Sequence, residues 1–235
     1  MSQNKTNFAV PLAFVGMMFF AIGFALGINS FLIPVLKGAL SLPSGVAYLL
    51  LAATFVPFLI FGYPASATIA KIGYKRTMAL SFLIFAVAFI LFVLSAKLEN
   101  FILFLIASFV SGAANAYLQA SVNPYITILG PIESAAKRMS IMGICNKLAW
   151  PVAPLFFALV VADQTNVQTS DLYLPFYIII GVFLLLGIIS LMAPLPEVKA
   201  AGEDESDTAN CPYAANKTSI WQFPHLVLGA LTLFI

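Results

Sequence analysis

The chain has 235 residues, of which 62% are hydrophobic and only 9% are charged, and its mean hydropathy is +1.02. Soluble domains carry about a quarter charged residues, so this composition excludes a soluble globular protein and predicts an all-α membrane protein in contact with a lipid bilayer. The formal net charge of +2 is too small and too scattered to indicate a nucleic-acid partner.

Six apolar stretches predict membrane-spanning helices. A helix needs about 20 apolar residues to cross a hydrocarbon core of about 30 Å. The stretches that meet this length lie at 9–34, 46–70, 77–96, 101–128, 139–162 and 174–194. Residues 1–194 are therefore predicted to form one six-helix bundle.

A polar segment at 195–219 follows the sixth span. It carries Glu203, Asp204, Glu205 and Asp207 among small residues, which is typical of a solvated linker. A seventh apolar stretch begins at Ile220, and residues 220–235 are too few to span a bilayer. The sequence thus predicts an acidic linker and the truncated start of a seventh helix.

Basic residues are distributed unequally between the two ends of the predicted helices. One end carries Lys5, Lys71, Lys75, Arg76, Lys137, Arg138, Lys199 and Lys217, whereas the other carries Lys37 and Lys97. Positively charged loops stay on the cytoplasmic side. We therefore expect a multi-pass protein of the cytoplasmic (inner) membrane, with its N-terminus and the 195–219 loop in the cytoplasm.

The fourth span contains a stripe of polar side chains, Ser111, Asn115, Gln119 and Asn123, at intervals of four residues, and Pro124 follows it. Residues at this spacing share one face of a helix. An amide in hydrocarbon costs several kcal/mol unless it finds a partner, so the stripe should face other helices or a water-filled cavity. For Gln119 and Asn123 the pattern favours a cavity over interhelical hydrogen bonds, and for Asn115 the two interpretations are even.

The fifth span contains the charged residue Lys147, about 12 Å from its predicted start at 1.5 Å per residue. Charges at such depth indicate function, although a lysine that faces a water-filled vestibule without a specific partner is the alternative. Gly23 and Gly27 of the first span form a small-xxx-small pattern, which predicts close packing of helices.

The spans offer no catalytic machinery. They contain no aspartate, glutamate or histidine, so no catalytic residue, metal ligand set or cofactor is predicted, and the chain is not expected to be an enzyme. Cys145 lies in a span and Cys211 in the polar segment, which makes a disulfide between them implausible.

Three motifs resemble one family. LQASVNPYITILGP at 118–131 resembles the helix 4 signature of the fucose, glucose and galactose symporters, a branch of the major facilitator superfamily. NSFLIP at 29–34 resembles the branch's helix 1 motif, and IGYKRT at 72–77 is similar to its basic turn between helices 2 and 3. The superfamily's more general glycine-aspartate-arginine turn is degenerate here, with Ser66, Ala70 and Lys71 in its place.

The resemblance implies a three-plus-three inverted repeat of helices in this half and a second six-helix half of the same chain. Asn29 with Pro34, and Gln119 with Pro124, occupy comparable places in the two triplets and predict two helix breaks beside a cavity. The resemblance further implies a gating turn formed by Lys71, Gly73, Lys75 and Arg76.

The resemblance also implies ion-coupled, alternating-access transport of a hexose. Expected substrate-binding residues are Asn29, Gln119, Asn123, Asn146 and Lys147, with Ser30, Asn115, Tyr125 and Trp150 as further candidates. Ser30 and Gln119 replace the carboxylates of the proton-coupled fucose motifs, so either H⁺ or Na⁺ remains open as the coupling ion. An amino sugar or other small solute is the alternative cargo, and a non-transporting membrane scaffold is a further alternative.

Overall fold

The computed structural model describes residues 9–161, 167–193, 222–224, 227–229 and 232. The first two ranges contain six long helices: α1 (Ala9–Ala39), α2 (Leu49–Ile72), α3 (Tyr74–Lys97), α4 (Phe101–Ile128), α5 (Ala135–Val160) and α6 (Tyr173–Met192). Short helical turns precede three of them, at Ser44–Ala47, Ile132–Ser134 and Thr169–Leu172. All six long helices are long and apolar enough to cross a membrane, which confirms the predicted all-α membrane fold.

The chain divides into two units, and the second comprises residues 199–235. Within it, residues 224, 227–229 and 232 are helical, and the Val227 N–H donates to the Phe223 carbonyl oxygen at 3.2 Å. The predicted linker at 195–219, with Cys211, lies outside the described residues. The division of the chain at 194 and 219 therefore stays a prediction.

The prediction of two helix breaks is wrong. α1 continues through Pro34 to Ala39, and α4 continues through Pro124 to Ile128. Each proline costs one helical hydrogen bond. An unwound segment would leave several backbone groups without partners inside a bilayer, and each of those costs several kcal/mol. A continuous helix with one missing bond is the less costly arrangement.

Glycines allow α1 to approach α5 closely. A Cβ added to Gly23 would lie 1.9 Å from the Asn146 carbonyl oxygen, and one added to Gly27 would lie 2.7 Å from the Trp150 carbonyl oxygen. Pro154, four residues after Trp150, cannot donate to that carbonyl, so the carbonyl is free to face α1. The structure confirms the predicted close packing at Gly23 and Gly27.

An equivalent contact joins α4 to α2. A Cβ on Gly112 would lie 2.1 Å from the Thr54 carbonyl oxygen. The first helix of each triplet thus packs on the second helix of the other triplet, α1 on α5 and α4 on α2. This exchange is the arrangement that a three-plus-three inverted repeat requires.

A ladder of phenylalanines fills the space between α3, α4 and α6. Phe85 and Phe183 stack with ring centroids 4.7 Å apart, and Phe92 contacts Phe176 at 5.4 Å and Phe104 at 6.1 Å. All five rings are buried. Lipid tails are as apolar as these side chains, so their contribution comes from tight packing and ring geometry rather than from exclusion of water.

Arg138 closes the turn between α4 and α5. Its guanidinium donates to the carbonyl oxygens of Ile126 at 3.1 Å, Thr127 at 3.0 Å and Pro131 at 2.8 Å, and also to the Ser134 hydroxyl. The last carbonyls of a helix have no helical donors, and a cation is favoured at that end. Because these contacts accommodate its charge, α5 begins at residue 135 rather than at the predicted 139.

Gly23→Ala and Gly112→Ala should each lower the free energy of unfolding by about 1–3 kcal/mol, because the added methyl group meets a backbone carbonyl that cannot rotate away. Thermal unfolding of the complete protein in detergent measures this. Gly181→Ala is the matched control, since its Cβ would meet nothing within 4 Å. Equal unfolding temperatures in all three variants would contradict the proposed close crossings.

Arg138→Met should destabilise the protein by about 1–3 kcal/mol, because the carbonyls at the end of α4 lose their charged donor. Lys137→Met, at the exposed neighbouring position, removes the same formal charge and should have little effect. Urea or thermal unfolding of both variants gives the comparison, and identical stabilities would show that Arg138 does not hold this turn.

Candidate functional site

The polar stripe of α4 begins in the bundle interior and reaches an accessible surface. Ser111 and Asn115 are fully buried, whereas Gln119 and Asn123 are half-buried. Asn115 lies about 21 Å from the start of α4 at Phe101, near the middle of the helix, at 1.5 Å per residue. The structure therefore separates the stripe into an inner pair and an outer pair.

Asn29 connects α1 to this stripe. Its side-chain N–H₂ donates to the Ala25 carbonyl oxygen at 3.0 Å and to the Ser111 hydroxyl at 3.2 Å. Asn29 is fully buried, and its Oδ1 atom has no partner among the described residues. The amide orientation is fixed by the bond to Ala25, because a carbonyl accepts and cannot donate.

Asn115 has no hydrogen bond at either end of its amide among the described residues. An unsatisfied buried polar group costs about 1–3 kcal/mol, and buried polar groups without partners are rare in native proteins. An amide with both ends unpaired is therefore costly unless a water molecule or another small group pairs with it.

Lys147 and Trp150 form the accessible part of the site on α5. Lys147 is exposed and about 18 Å from the start of α5, which puts it near the middle of the helix. Its Nζ atom lies 5.5 Å from the centroid of the Trp150 ring, within the range of a cation–π interaction. Trp150 is half-buried, and its Nε1 has no partner among the described residues.

Asn146 has a structural contact that the sequence did not indicate. Its side-chain N–H₂ donates to the Phe19 carbonyl oxygen of α1 at 3.0 Å, beside the Gly23 crossing. One face of this amide is therefore used to join helices.

Two further candidate residues make contacts within the bundle. The Ser30 hydroxyl donates to the Leu26 carbonyl oxygen at 3.1 Å. Tyr125 is 1% exposed, and its ring lies 5.9 Å from that of Tyr74. α4 turns this ring into the core, and a contact between Tyr125 and the substrate stays a prediction.

The α2–α3 turn consists of one residue, Gly73, with φ of 83°. This left-handed backbone favours glycine, and it allows α3 to start at once with buried Tyr74. Lys71 and Arg76 are exposed on either side, and Lys75 is half-buried. The predicted gating turn is therefore a one-residue turn with basic side chains on both sides, and its gating role stays a prediction.

Three grooves on the described surface are lined mainly by apolar side chains of α1, α5 and α6. The best enclosed has a volume of about 330 Å³ and lies between Met17 and Phe24 of α1 and Ile178 and Val182 of α6. None of these three is lined by Gln119, Asn123 or Lys147. These accessible polar residues therefore lie outside the three grooves.

Sequence reasoning missed two residues. It counted Arg138 only as a loop charge, although this side chain braces the turn that joins α4 to α5. It also did not consider Ser108, whose hydroxyl is buried without a partner among the described residues. The interval of three between Ser108 and Ser111 could have extended the polar stripe by one turn.

Comparison with known proteins agrees with this architecture. The model of the Major Facilitator Superfamily matches residues 14–235. A glucose/galactose transporter of Brucella abortus biovar 1 is 31% identical over 239 residues, which cover all of this chain and 56% of that protein. The L-fucose-proton symporter of Escherichia coli K12 is 22% identical, over 98% of this chain and 57% of that protein.

The solved structures show the same fold. The transporter FucP in the outward conformation gives a TM-score of 0.70 at 23% identity, over 88% of this chain and 55% of that one. A substituted form of the E. coli fucose:proton symporter FucP gives 0.71 at 22% identity, over 93% and 57%. The chain spans about half the length of the curated relatives it matches.

Proposed function

The chain belongs to the major facilitator superfamily, and from this premise we propose that it is the first six-helix half of a secondary transporter that carries a hexose across the cytoplasmic membrane. The observation that carries the proposal is the pair of half-buried amides, Gln119 and Asn123, which continue a buried polar stripe to an accessible surface. The names of the relatives, glucose/galactose transporter and L-fucose-proton symporter, support a sugar as the cargo.

The accessible polar and aromatic side chains of α4 and α5 suit a neutral, polyhydroxylated solute. Each amide both donates and accepts hydrogen bonds, so it can pair with two hydroxyls of one sugar, and Lys147 adds donors only. Trp150 offers an apolar ring for the C–H face of a pyranose. We assign the first contacts with the sugar to Gln119, Asn123, Lys147 and Trp150. Asn146 has a lesser share because Phe19 already accepts from its amide.

Transport would proceed by rocking of this bundle against a second one around the bound solute. Within this half, the glycine crossings and the Arg138 contacts would keep the helices together as a unit. The basic residues Lys71, Lys75 and Arg76 support a cytoplasmic position for the α2–α3 turn, by the positive-inside rule. We further propose that an ion gradient drives uptake, with the two bundles carrying ion and sugar together.

The charge of Lys147 should also distinguish free hexosamines from N-acetylated ones. A free hexosamine carries an ammonium group at neutral pH, and like charges at such a site repel each other. An N-acetylated hexosamine is neutral and lacks this penalty. We therefore expect neutral hexoses to be preferred over free hexosamines.

Vesicles that contain the complete protein should concentrate labelled galactose, glucose or fucose when sodium and proton gradients are imposed. Glucosamine and N-acetylglucosamine are tested in parallel. Uptake of at least one neutral hexose is the expected result. Uptake of N-acetylglucosamine alone would show that the cargo is an amino sugar rather than a neutral hexose. No uptake of any of these sugars by folded protein would refute the proposed cargo.

Gln119→Leu in the complete protein should weaken binding of the transported sugar by about tenfold or more, because a buried sugar hydroxyl would lose its partner at about 1–3 kcal/mol. Its unfolding temperature should change little. Asn146→Leu is the informative contrast, since it removes the bond to Phe19 and should lower the unfolding temperature. Calorimetric binding and thermal unfolding separate the two effects, and wild-type affinity in Gln119→Leu would contradict its assignment.

A further inference from the structure

Four polar atoms between α1 and α4 lack partners in the described bundle. They are Asn29 Oδ1, Ser108 Oγ, and both amide atoms of Asn115. The three side chains are all 0% exposed. Because these side chains have no exposed surface, bulk water cannot be the missing partner, so something small must occupy the site or the cost of burial is uncompensated.

The bond from Asn29 to Ser111 brings these atoms together. Ser111 accepts from Asn29 at 3.2 Å, while Ser108 and Asn115 lie three residues before and four residues after it on α4. Residues at these spacings are neighbours on one face of a helix, with Cβ atoms about 5–6 Å apart. The unpartnered amides of Asn29 and Asn115 therefore both belong to the surroundings of the Ser111 hydroxyl.

A sugar cannot be the ligand of this inner cluster. A hexose has to touch the side chain that recognises it, and the buried side chains offer no surface to it, unlike half-buried Gln119 and Asn123. A ligand of side chains without exposed surface would have to be as small as a water molecule or a monatomic ion.

The donor set distinguishes between these small ligands. Three of the four orphaned atoms are amide or hydroxyl oxygens, the ligand type that hard cations prefer. Lys147 is exposed and lies against Trp150, so its charge can be solvated away from the cluster. We propose that Asn29, Ser111 and Asn115 form a sodium site between α1 and α4, with Ser108 as a supporting oxygen.

The site would couple transport to the sodium gradient, and this coupling step rests on the proposed function, whereas sodium binding itself does not. All of the side-chain ligands are neutral, so a bound ion would add one positive charge to the bundle. Sugar uptake should then be electrogenic, with inward current that depends on external sodium.

The first test is binding of ²²Na⁺ to the complete, purified protein without sugar, with choline as the replacement cation. Saturable binding is expected. Its absence would overturn the sodium site and leave a buried water as the occupant. Because no sugar is present, this result is independent of which sugar, if any, the protein carries.

Variants locate the ion. Asn115→Leu should weaken ²²Na⁺ binding by about tenfold or more, the size of effect seen when groups that support a metal site are lost. Ser190→Ala, which removes a buried unpartnered hydroxyl on α6, should leave binding unchanged. Asn115→Asp adds an anionic oxygen at the same place and should strengthen binding, a gain that a merely structural role would not produce. Wild-type binding in both Asn115 variants would overturn the assignment.

The transport arm separates the two proposals. Sodium-driven sugar uptake that Asn115→Leu abolishes would support both. Sugar uptake with a proton gradient alone, and no ²²Na⁺ binding, would overturn the sodium site and leave the hexose function standing. Saturable ²²Na⁺ binding without uptake of any hexose would support the sodium site and overturn the hexose function.

Discussion

The close contact between Gly23 and the Asn146 backbone is the interaction on which the rest of this bundle depends. In a bilayer, helices gain nothing from hiding apolar surface from water, so they associate by packing, and glycine allows the closest approach. The crossing of α1 on α5 and its counterpart at Gly112 set the positions of the four helices that carry polar side chains. Displacement of either crossing would separate Asn29 from Ser111, and Asn146 from Phe19.

Similar amides have different roles in this bundle, because little water is available to pair with them. Asn146 finds a carbonyl on a neighbouring helix and joins two elements. Gln119 is half-buried, so a solute can reach it. Asn115 is buried with neither end paired among the described residues, which is costly unless a small ligand binds there. Exposure and partners, rather than residue type, separate the structural amide from those proposed to bind a sugar or an ion.

Charged side chains are confined to places where the fold can satisfy them. Arg138 is buried, yet it donates to carbonyls that the end of α4 leaves free, so its charge stabilises a turn. Lys147 is exposed beside an aromatic ring near the middle of α5. The first charge gives rigidity to one end of the bundle, and the second is available to the proposed solute site.

The sequence by itself determined the membrane class, six spanning helices, the glycine crossing and the family, because length, hydropathy and small-residue spacing act locally along each helix. It also indicated the polar stripe of α4. It could not determine which amide pairs with which helix, that Tyr125 turns into the core, or that α1 and α4 continue through their prolines. Those outcomes depend on neighbours that are distant in the chain, such as Phe19 for Asn146 and Ile126 for Arg138. Only the tertiary structure decided them, because the cost of an unpaired polar group is known only when its surroundings are fixed.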